Sequence, residues 1–349
     1  MAESNPIPVV SFEKFLTGDR AGQKEVARRV YDAFSEVGFI YLKEHGIPQT
    51  RVDEIFALVG ITNNTAHTLG YESSFDSVST QAEKFFSLPL STKLAYKLSS
   101  AHVNQGYTAD GAEGVNDHKE CYEHRRFTND LCPSESDLPG FKSTLDDFYQ
   151  QCFSLAMNVL KCLAMVMDLG DDFFDAITKK ADPQMRLLHY PPIERRVIEQ
   201  QGHARINAHT DFGLCTLLFQ DGVGGLEVDP SHENKFIPAP PIQGAVLINI
   251  ADLLQRYTNG RVKSTRHRVV SPSLDRFNGD VLPSRYSIPF FVHPDPETVI
   301  DPIVLSEGEV KLYEPVNAGQ WRDWKTATNY RLKGDNGEEV SLRSVAVET

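Results

Sequence analysis

From Met185 onward the sequence breaks into short, β-prone runs: MRLLHY, CTLLFQ, GLEVD, AVLINI, RHRVVS and SRYSIPFFV. Turn signals such as Asp221-Gly222 and Asn278-Gly279-Asp280 separate some of them. Many short strands at this spacing predict a β-sandwich or a closed barrel. The first half reads differently. From Gln23 to Val37, the residues Val26, Val30, Phe34 and Val37 recur at helical spacing, and Gly38 is placed to stop that helix. Gly140 to Leu169 carries the longest amphipathic pattern, with Leu145, Phe148, Cys152, Leu155, Val159, Cys162 and Val166 on one face and Gly170 at its end. Further helices are expected from Pro48, over Ala82–Tyr96 and over Asp171–Lys179, and strands over Pro8–Phe12 and Phe39–Leu42. The expected class is α+β. A helical N-terminal region, 1–181, packs on a β region, 182–349, as one integrated domain.

Composition removes several function classes. The formal net charge is −13, and the basic pairs Arg28-Arg29 and Arg125-Arg126 sit among acids, so no stripe suits nucleic acid. Five cysteines at irregular spacing (Cys121, Cys132, Cys152, Cys162, Cys215) read as reduced thiols, not a disulfide framework. No apolar run approaches a membrane span, and the N-terminus lacks the basic-then-apolar pattern of a signal peptide. The expectation is a cytoplasmic protein, monomeric or weakly homo-oligomeric, acting on a small molecule.

The chemistry begins at Asn207-Ala208-His209-Thr210-Asp211-Phe212-Gly213. An isolated H-x-D arises easily by chance and on its own reads as an ordinary polar turn. If it ends a strand, however, residues two apart point to the same side and both can reach one ion. His267, in STRHRVV, enters a strand from a loop and can supply a third ligand. Two histidines and a carboxylate on one face of an ion form the arrangement of non-haem Fe(II) oxygenases. Beyond it, Arg285 and Ser287 share one strand face in RYSIPFF. A buried arginine fork beside a hydroxyl needs an anionic partner, and a dicarboxylate supplies one.

These segments together resemble the isopenicillin N synthase-like branch of the 2-oxoglutarate/Fe(II)-dependent dioxygenases. The resemblance runs through GFIYLKEHGIP, GFKSTLDDFYQQC, MRLLHYPP, AHTDFGLCTLLFQDGVGGLEV, LINIADLLQRYTNG, KSTRHRVV and RYSIPFF, and covers nearly the whole chain. Within the branch the sequence is similar to fungal enzymes such as thymine 7-hydroxylase, which implies a fungal origin. The resemblance implies a double-stranded β-helix, or jelly-roll, core buttressed by helices. It implies Fe(II) held by His209, Asp211 and His267. It implies 2-oxoglutarate held by Arg285 and Ser287, with Tyr190 as a further donor. O2 is the oxidant, and ascorbate a helpful additive. The implied reaction oxidises an unactivated C–H of a small molecule, most simply by hydroxylation, and releases succinate and CO2. It belongs to fungal secondary metabolism or pyrimidine-like metabolism. An oxoglutarate-independent oxidase of the same fold and an inactive binding protein are the alternative readings.

Substrate contacts are expected from Arg186, Phe291, Gln105, Tyr107 and Asn207 around the barrel mouth. His45, His124, His189 and His293 read as structural or surface residues. Asp252 reads as a helix cap, and Gly224-Gly225 as a hairpin turn. Residues 60–81 do not fit the resemblance. VDEIFALV would run straight into AEKFFSLP without them, and the polar insert has the length of a short intron retained in frame.

Overall fold

Alternation along the strands is what divides this protein into layers. In the computed structural model, which describes residues 6–59, 85–97, 105–111, 118–127, 130–200, 204–271 and 280–329, the strands are β1 (Val9–Ser11), β2 (Phe39–Lys43), β3 (Gly106–Thr108), β4 (Glu120–His124), β5 (Gln184–Tyr190), β6 (Ile193–Glu194), β7 (Ala204–His209), β8 (Cys215–Gln220), β9 (Leu226–Asp229), β10 (Ile237–Pro238), β11 (Ala245–Ile250), β12 (Arg266–Val270), β13 (Val281–Leu282), β14 (Arg285–Val292), β15 (Val299–Ile300) and β16 (Val316–Asn317). The helices are α1 (Glu13–Thr17), α2 (Arg20–Glu36), α3 (Gln49–Val59), α4 (Leu90–Ala95), α5 (Phe141–Val166), α6 (Arg195–Gln200), α7 (Asp252–Tyr257) and α8 (Ala318–Asn329).

Eight strands form the larger sheet, in the order β1-β2-β11-β8-β14-β5-β4-β3, and four form a smaller one, β10-β9-β12-β7. The pairs β6–β13 and β15–β16 stand apart. All pairings are antiparallel except β1 with β2. Ile40, Leu42, Met185, Leu187, Leu217, Phe219, Val246, Ile248, Ile288 and Phe290 turn from one face of the larger sheet into the core built with α2 and α5. The residues between them turn the other way. Phe39, Tyr41 and Leu247 meet Leu226, Val228 and Val269 of the smaller sheet, so the two sheets pack face to face. The protein is therefore α+β, with helices outside the larger sheet and a second layer between the sheets.

The helices match the pattern that predicted them. Val26, Ala27, Val30, Ala33 and Phe34 of α2 are buried, and Asp19 caps the helix by accepting a hydrogen bond from Gly22 N at 2.9 Å. Helix α5 buries twelve residues, Cys152 and Cys162 among them, and all five cysteines are free. Two expected helices are corrected. Over Ala82–Tyr96 the described residues form a 3-10 turn at Phe85–Ser87 and then α4, divided at Pro89. Proline has no N–H to donate and pushes the preceding residue out of helical geometry. Asp171–Lys179 holds only a 3-10 turn at Phe173–Ile177.

The N-terminal region, expected to be helical with two strands, contributes β1 to β4 to the larger sheet. The insert at 60–81 lies outside the described residues. No described helix is long and apolar enough to cross a membrane.

One corner ties the helical layer to the functional region. Gly38 ends α2 at φ +76°, and a Cβ there would lie 2.3 Å from Thr265 Oγ1 and 2.4 Å from Lys263 O. Thr265 Oγ1 donates to Val37 O at 2.7 Å, and Lys263 N donates to Phe34 O at 3.0 Å. Only glycine combines that backbone with that approach. The end of α2 thus grips the segment that leads into His267.

Candidate functional site

His209 is the last residue of β7, Asp211 lies in the turn that follows, and His267 sits on β12 directly opposite His209 in the register. Their ligand atoms all lie within 4.8 Å of one another. Each histidine is oriented by its own strand. His209 Nδ1 is 2.8 Å from Asn207 O, and His267 Nδ1 is 3.1 Å from Thr265 O. A carbonyl can only accept, so each Nδ1 carries the proton and each Nε2 presents a lone pair. Those nitrogens stand 3.8 and 3.7 Å from Asp211 Oδ1.

Asp211 is held through its other oxygen. Thr216 Oγ1 donates to Oδ2 at 2.6 Å, and Asn249 Nδ2 donates to it at 2.7 Å. One carboxylate oxygen is thereby anchored and the other left to a ligand, the outer-shell arrangement that tunes metal sites. Two imidazole nitrogens and one carboxylate oxygen on one side suit Fe(II). Replacing Thr216 with valine or Asn249 with leucine is expected to weaken Fe(II) binding ~10–100-fold while the fold persists. Anaerobic calorimetry of each variant checks this, and unchanged affinity in both would remove the orienting role.

The electrostatics keep His209 and Asp211 in their binding forms. Burial, reinforced by the neighbouring His267, lowers His209 to about 4. Its side chain is still 30% accessible, so close enclosure by neighbouring groups matters more than complete removal from water. Burial acts to raise Asp211, but His267, His209 and the bonds from Asn249 and Thr216 outweigh it and hold the carboxyl below its usual range. Burial also lowers His293 to about 3.

His209 and His293 are thus neutral when folded and free to protonate when unfolded, so the unfolded chain binds more protons below about pH 6.5. The metal-free protein is expected to lose stability as pH falls from about 6.5 toward 4, by up to ~1.4 kcal/mol per pH unit for each of the two. Thermal midpoints measured across that range test it. A flat profile would show that these side chains do not resist protonation.

Beside this trio lies an arginine-centred wall. Arg285 opens β14, opposite Tyr190 of β5, and Ser287 stands opposite Gln220 of β8. Arg285 is 1% exposed. Its Nε donates to Gly224 O at 2.9 Å, Nη1 to Ser287 Oγ at 3.2 Å, and Nη2 to Gln220 Oε1 at 3.3 Å. The turn at Gly224-Gly225 therefore also aims this arginine. The Tyr190 ring lies 4.9 Å from the Arg285 guanidinium carbon, and its buried hydroxyl has no hydrogen-bond partner among the described residues.

The other expected contacts divide. Phe291 has the parity of Ser287 and pairs with Thr216, which puts it on the inter-sheet face, partly exposed. Gln105 is fully buried with both amide atoms unpartnered among the described residues. Arg186 forms an ion pair with the buried Glu123, which also accepts from Gln184. Asn207 has an exposed side chain and serves the site through its backbone carbonyl.

Tyr107 is a correction. Its hydroxyl donates to Glu120 at 2.5 Å and its ring packs against Phe85, in the helical layer. The β3–β4 register sets Gly106, not Tyr107, opposite Glu123, so the tyrosine faces away from the sheets' interface. Asp252 is a second correction: it is the first residue of α7 and makes no cap. Its carboxylate accepts from Ser264 Oγ at 2.7 Å and Thr210 Oγ1 at 3.2 Å, and pairs with Lys325 at 2.5 Å. It joins the turn bearing Asp211 to the segment before His267. Among the other histidines, His124 pairs with Asp146 and His189 with Glu120, both structural.

Sequence reasoning missed Thr216, Asn249 and Arg205. Asn249 had left a signal, as the lone amide inside the apolar run AVLINIA.

The chain matches the 2OG-Fe(II) oxygenase superfamily over residues 181–294 and the non-haem dioxygenase in morphine synthesis N-terminal family over residues 7–60. It is 31% identical to the 2-oxoglutarate-dependent dioxygenase frbA of Dothideomycetidae sp. (strain 11243), with 98% of each chain covered. It is 30% identical to the proline hydroxylase buaE of Petromyces alliaceus, over 92% of this chain and 98% of that one. Among solved structures it is similar to the full-length thymine 7-hydroxylase of Neurospora crassa in complex with alpha-KG and 5-formyluracil. That likeness has a TM-score of 0.78 and 35% identity, covering 93% of this chain and 98% of the other. With these relatives and this donor set, the chain belongs to the 2-oxoglutarate/Fe(II)-dependent dioxygenases, enzymes that use Fe(II), 2-oxoglutarate and O2.

Proposed function

We propose that His209, Asp211 and His267 hold the Fe(II), and that Arg285, Ser287 and Tyr190 hold the oxoglutarate. The observation that carries this reading is the convergence of three ligand atoms within 4.8 Å, with both Nε2 lone pairs free. When bound, the iron supplies the oxidising chemistry, coupled to loss of CO2 from the co-substrate. The protein's share is positional. Thr216 and Asn249 fix the plane of the Asp211 carboxylate, and Asn207 and Thr265 fix the two imidazoles by their carbonyls. Gly224, Gln220 and Ser287 hold the Arg285 fork so that it meets a carboxylate without rearranging. The apolar residues between the sheets keep water out of the reacting region.

The substrate in this proposal is a small organic molecule of fungal secondary metabolism or pyrimidine-like metabolism, hydroxylated at an unactivated C–H between Phe291, Arg186 and Gln105. The likeness to a thymine 7-hydroxylase crystallised with thymine supports a small polar ring, and the proline hydroxylase relative supports a small cyclic amino acid. The two facing sheets are read as a double-stranded β-helix, with 1–181 and 182–349 as parts of one integrated domain. In an anaerobic mixture with Fe(II) and oxoglutarate, a true substrate is expected to perturb the metal-to-ligand absorption band. Admitting O2 should then give succinate in step with product. Product formed without succinate would replace this reading with an oxoglutarate-independent oxidation.

A further inference from the structure

Arg205, on β7 four residues before His209, is 3% exposed. None of its three guanidinium nitrogens has a hydrogen-bond partner among the described residues. Its guanidinium carbon lies 5.7 Å from the centre of the Tyr190 ring, and that of Arg285 lies 4.9 Å from the same ring. The two cations therefore both lie against one tyrosine ring. The buried hydroxyl of that tyrosine is itself unpartnered among the described residues.

A buried cation is tolerated when it is paired. The charge of Asp221 acts on both guanidiniums. It is already engaged by Tyr286 N at 2.5 Å and Val223 N at 3.0 Å. Burial pushes the Asp221 carboxyl up to about 6, and burial together with the nearby Arg285 pulls Arg205 down to about 10. Two guanidiniums and one buried carboxylate leave this corner positive. Its unused donors are three nitrogens on Arg205 and one hydroxyl on Tyr190, carried by two side chains that lie against each other.

We propose that Arg205 is a second cationic anchor for the co-substrate, which with Arg285 and the Tyr190 hydroxyl encloses the distal carboxylate of oxoglutarate. The inference rests on the assignment of Arg285 and Ser287 to that carboxylate. Arg285 enters with its donors spread over Gly224, Ser287 and Gln220, whereas Arg205 enters with all of its donors free among the described residues. The corner then selects among 2-oxo acids. A five-carbon 2-oxo acid that ends in a methyl group leaves both cations unpaired.

The test is equilibrium binding to the anaerobic Fe(II)-loaded protein, by calorimetry, with oxoglutarate and with 2-oxopentanoate. Arg205→Met is expected to weaken oxoglutarate about 10- to 100-fold, the effect of losing hydrogen bonds between charged groups. It should change 2-oxopentanoate affinity less than about 3-fold, since that ligand has no distal carboxylate. The ligand-free thermal midpoint of Arg205→Met should hold or rise, because an uncompensated charge has been removed. A fall in that midpoint would make Arg205 a structural cation and overturn the inference. If Arg285→Leu weakens oxoglutarate and Arg205→Met does not, Arg205 is no anchor and the site assignment stands. If neither variant weakens it, the assignment of Arg285 fails and the inference with it.

Discussion

Replacing His267 with alanine is expected to abolish turnover and to weaken Fe(II) binding by more than ~100-fold, since loss of an outer-shell partner alone costs ~10–100-fold. The geometry leaves no substitute. The described residues offer one cluster of three ligand atoms, and His267 provides one of its two nitrogens. Asp211 would keep its bonds from Thr216 and Asn249, and His209 its bond to Asn207 O, so the change should remain local. Anaerobic calorimetry with Fe(II), alongside a thermal midpoint, separates lost metal from lost fold. Full turnover in the alanine variant would sink the metal assignment.

The second large effect concerns a residue with no side chain. A Cβ on Gly213 would lie 2.2 Å from Val292 O and 2.7 Å from His293 Nδ1. The carbonyl of Val292 already accepts from Leu214 N at 2.7 Å, and that of Gly213 accepts from Leu253 N at 3.0 Å, so neither strand end can retreat cheaply. Gly213→Ala is therefore expected to cost ~2–4 kcal/mol of stability, a fall of roughly 3–6 °C in thermal midpoint for a chain of this length. It should also weaken Fe(II) binding, because any retreat moves the turn that carries Asp211. A variant with the parent's midpoint and metal affinity would show that the turn has slack.

The contrast between His209-x-Asp211 and Arg205 explains what could be read in advance. The H-x-D spacing, the paired faces of Arg285 and Ser287, and the periodicity of α2 and α5 are local patterns, and local geometry enforces them. The residues that orient Asp211 come from β8 and β11, brought beside it by pairing between distant strands. Arg205 was hidden for another reason. The β7–β12 register shifts between His267 and Val269 and again before Val270, so simple alternation from His209 does not report which way Arg205 points. Tyr107 was misplaced because the side of the sheet it faces depends on its register with Tyr122. The contribution of β3 and β4 to the larger sheet left no signal of its own, since neither run is long or strongly alternating.

The place of β2 bears on how the chain is made. It lies between β1 and β11, and the second of these partners follows it by about 200 residues, so at ~5–20 residues per second the ribosome delivers that partner ~10–40 s later. During that interval FIYLK has one open edge and two apolar faces. The nascent chain must shelter this strand, by packing it on α2 or by a chaperone, until β11 emerges. Conditions that slow synthesis should therefore lower soluble yield more than the stability of the finished enzyme would suggest.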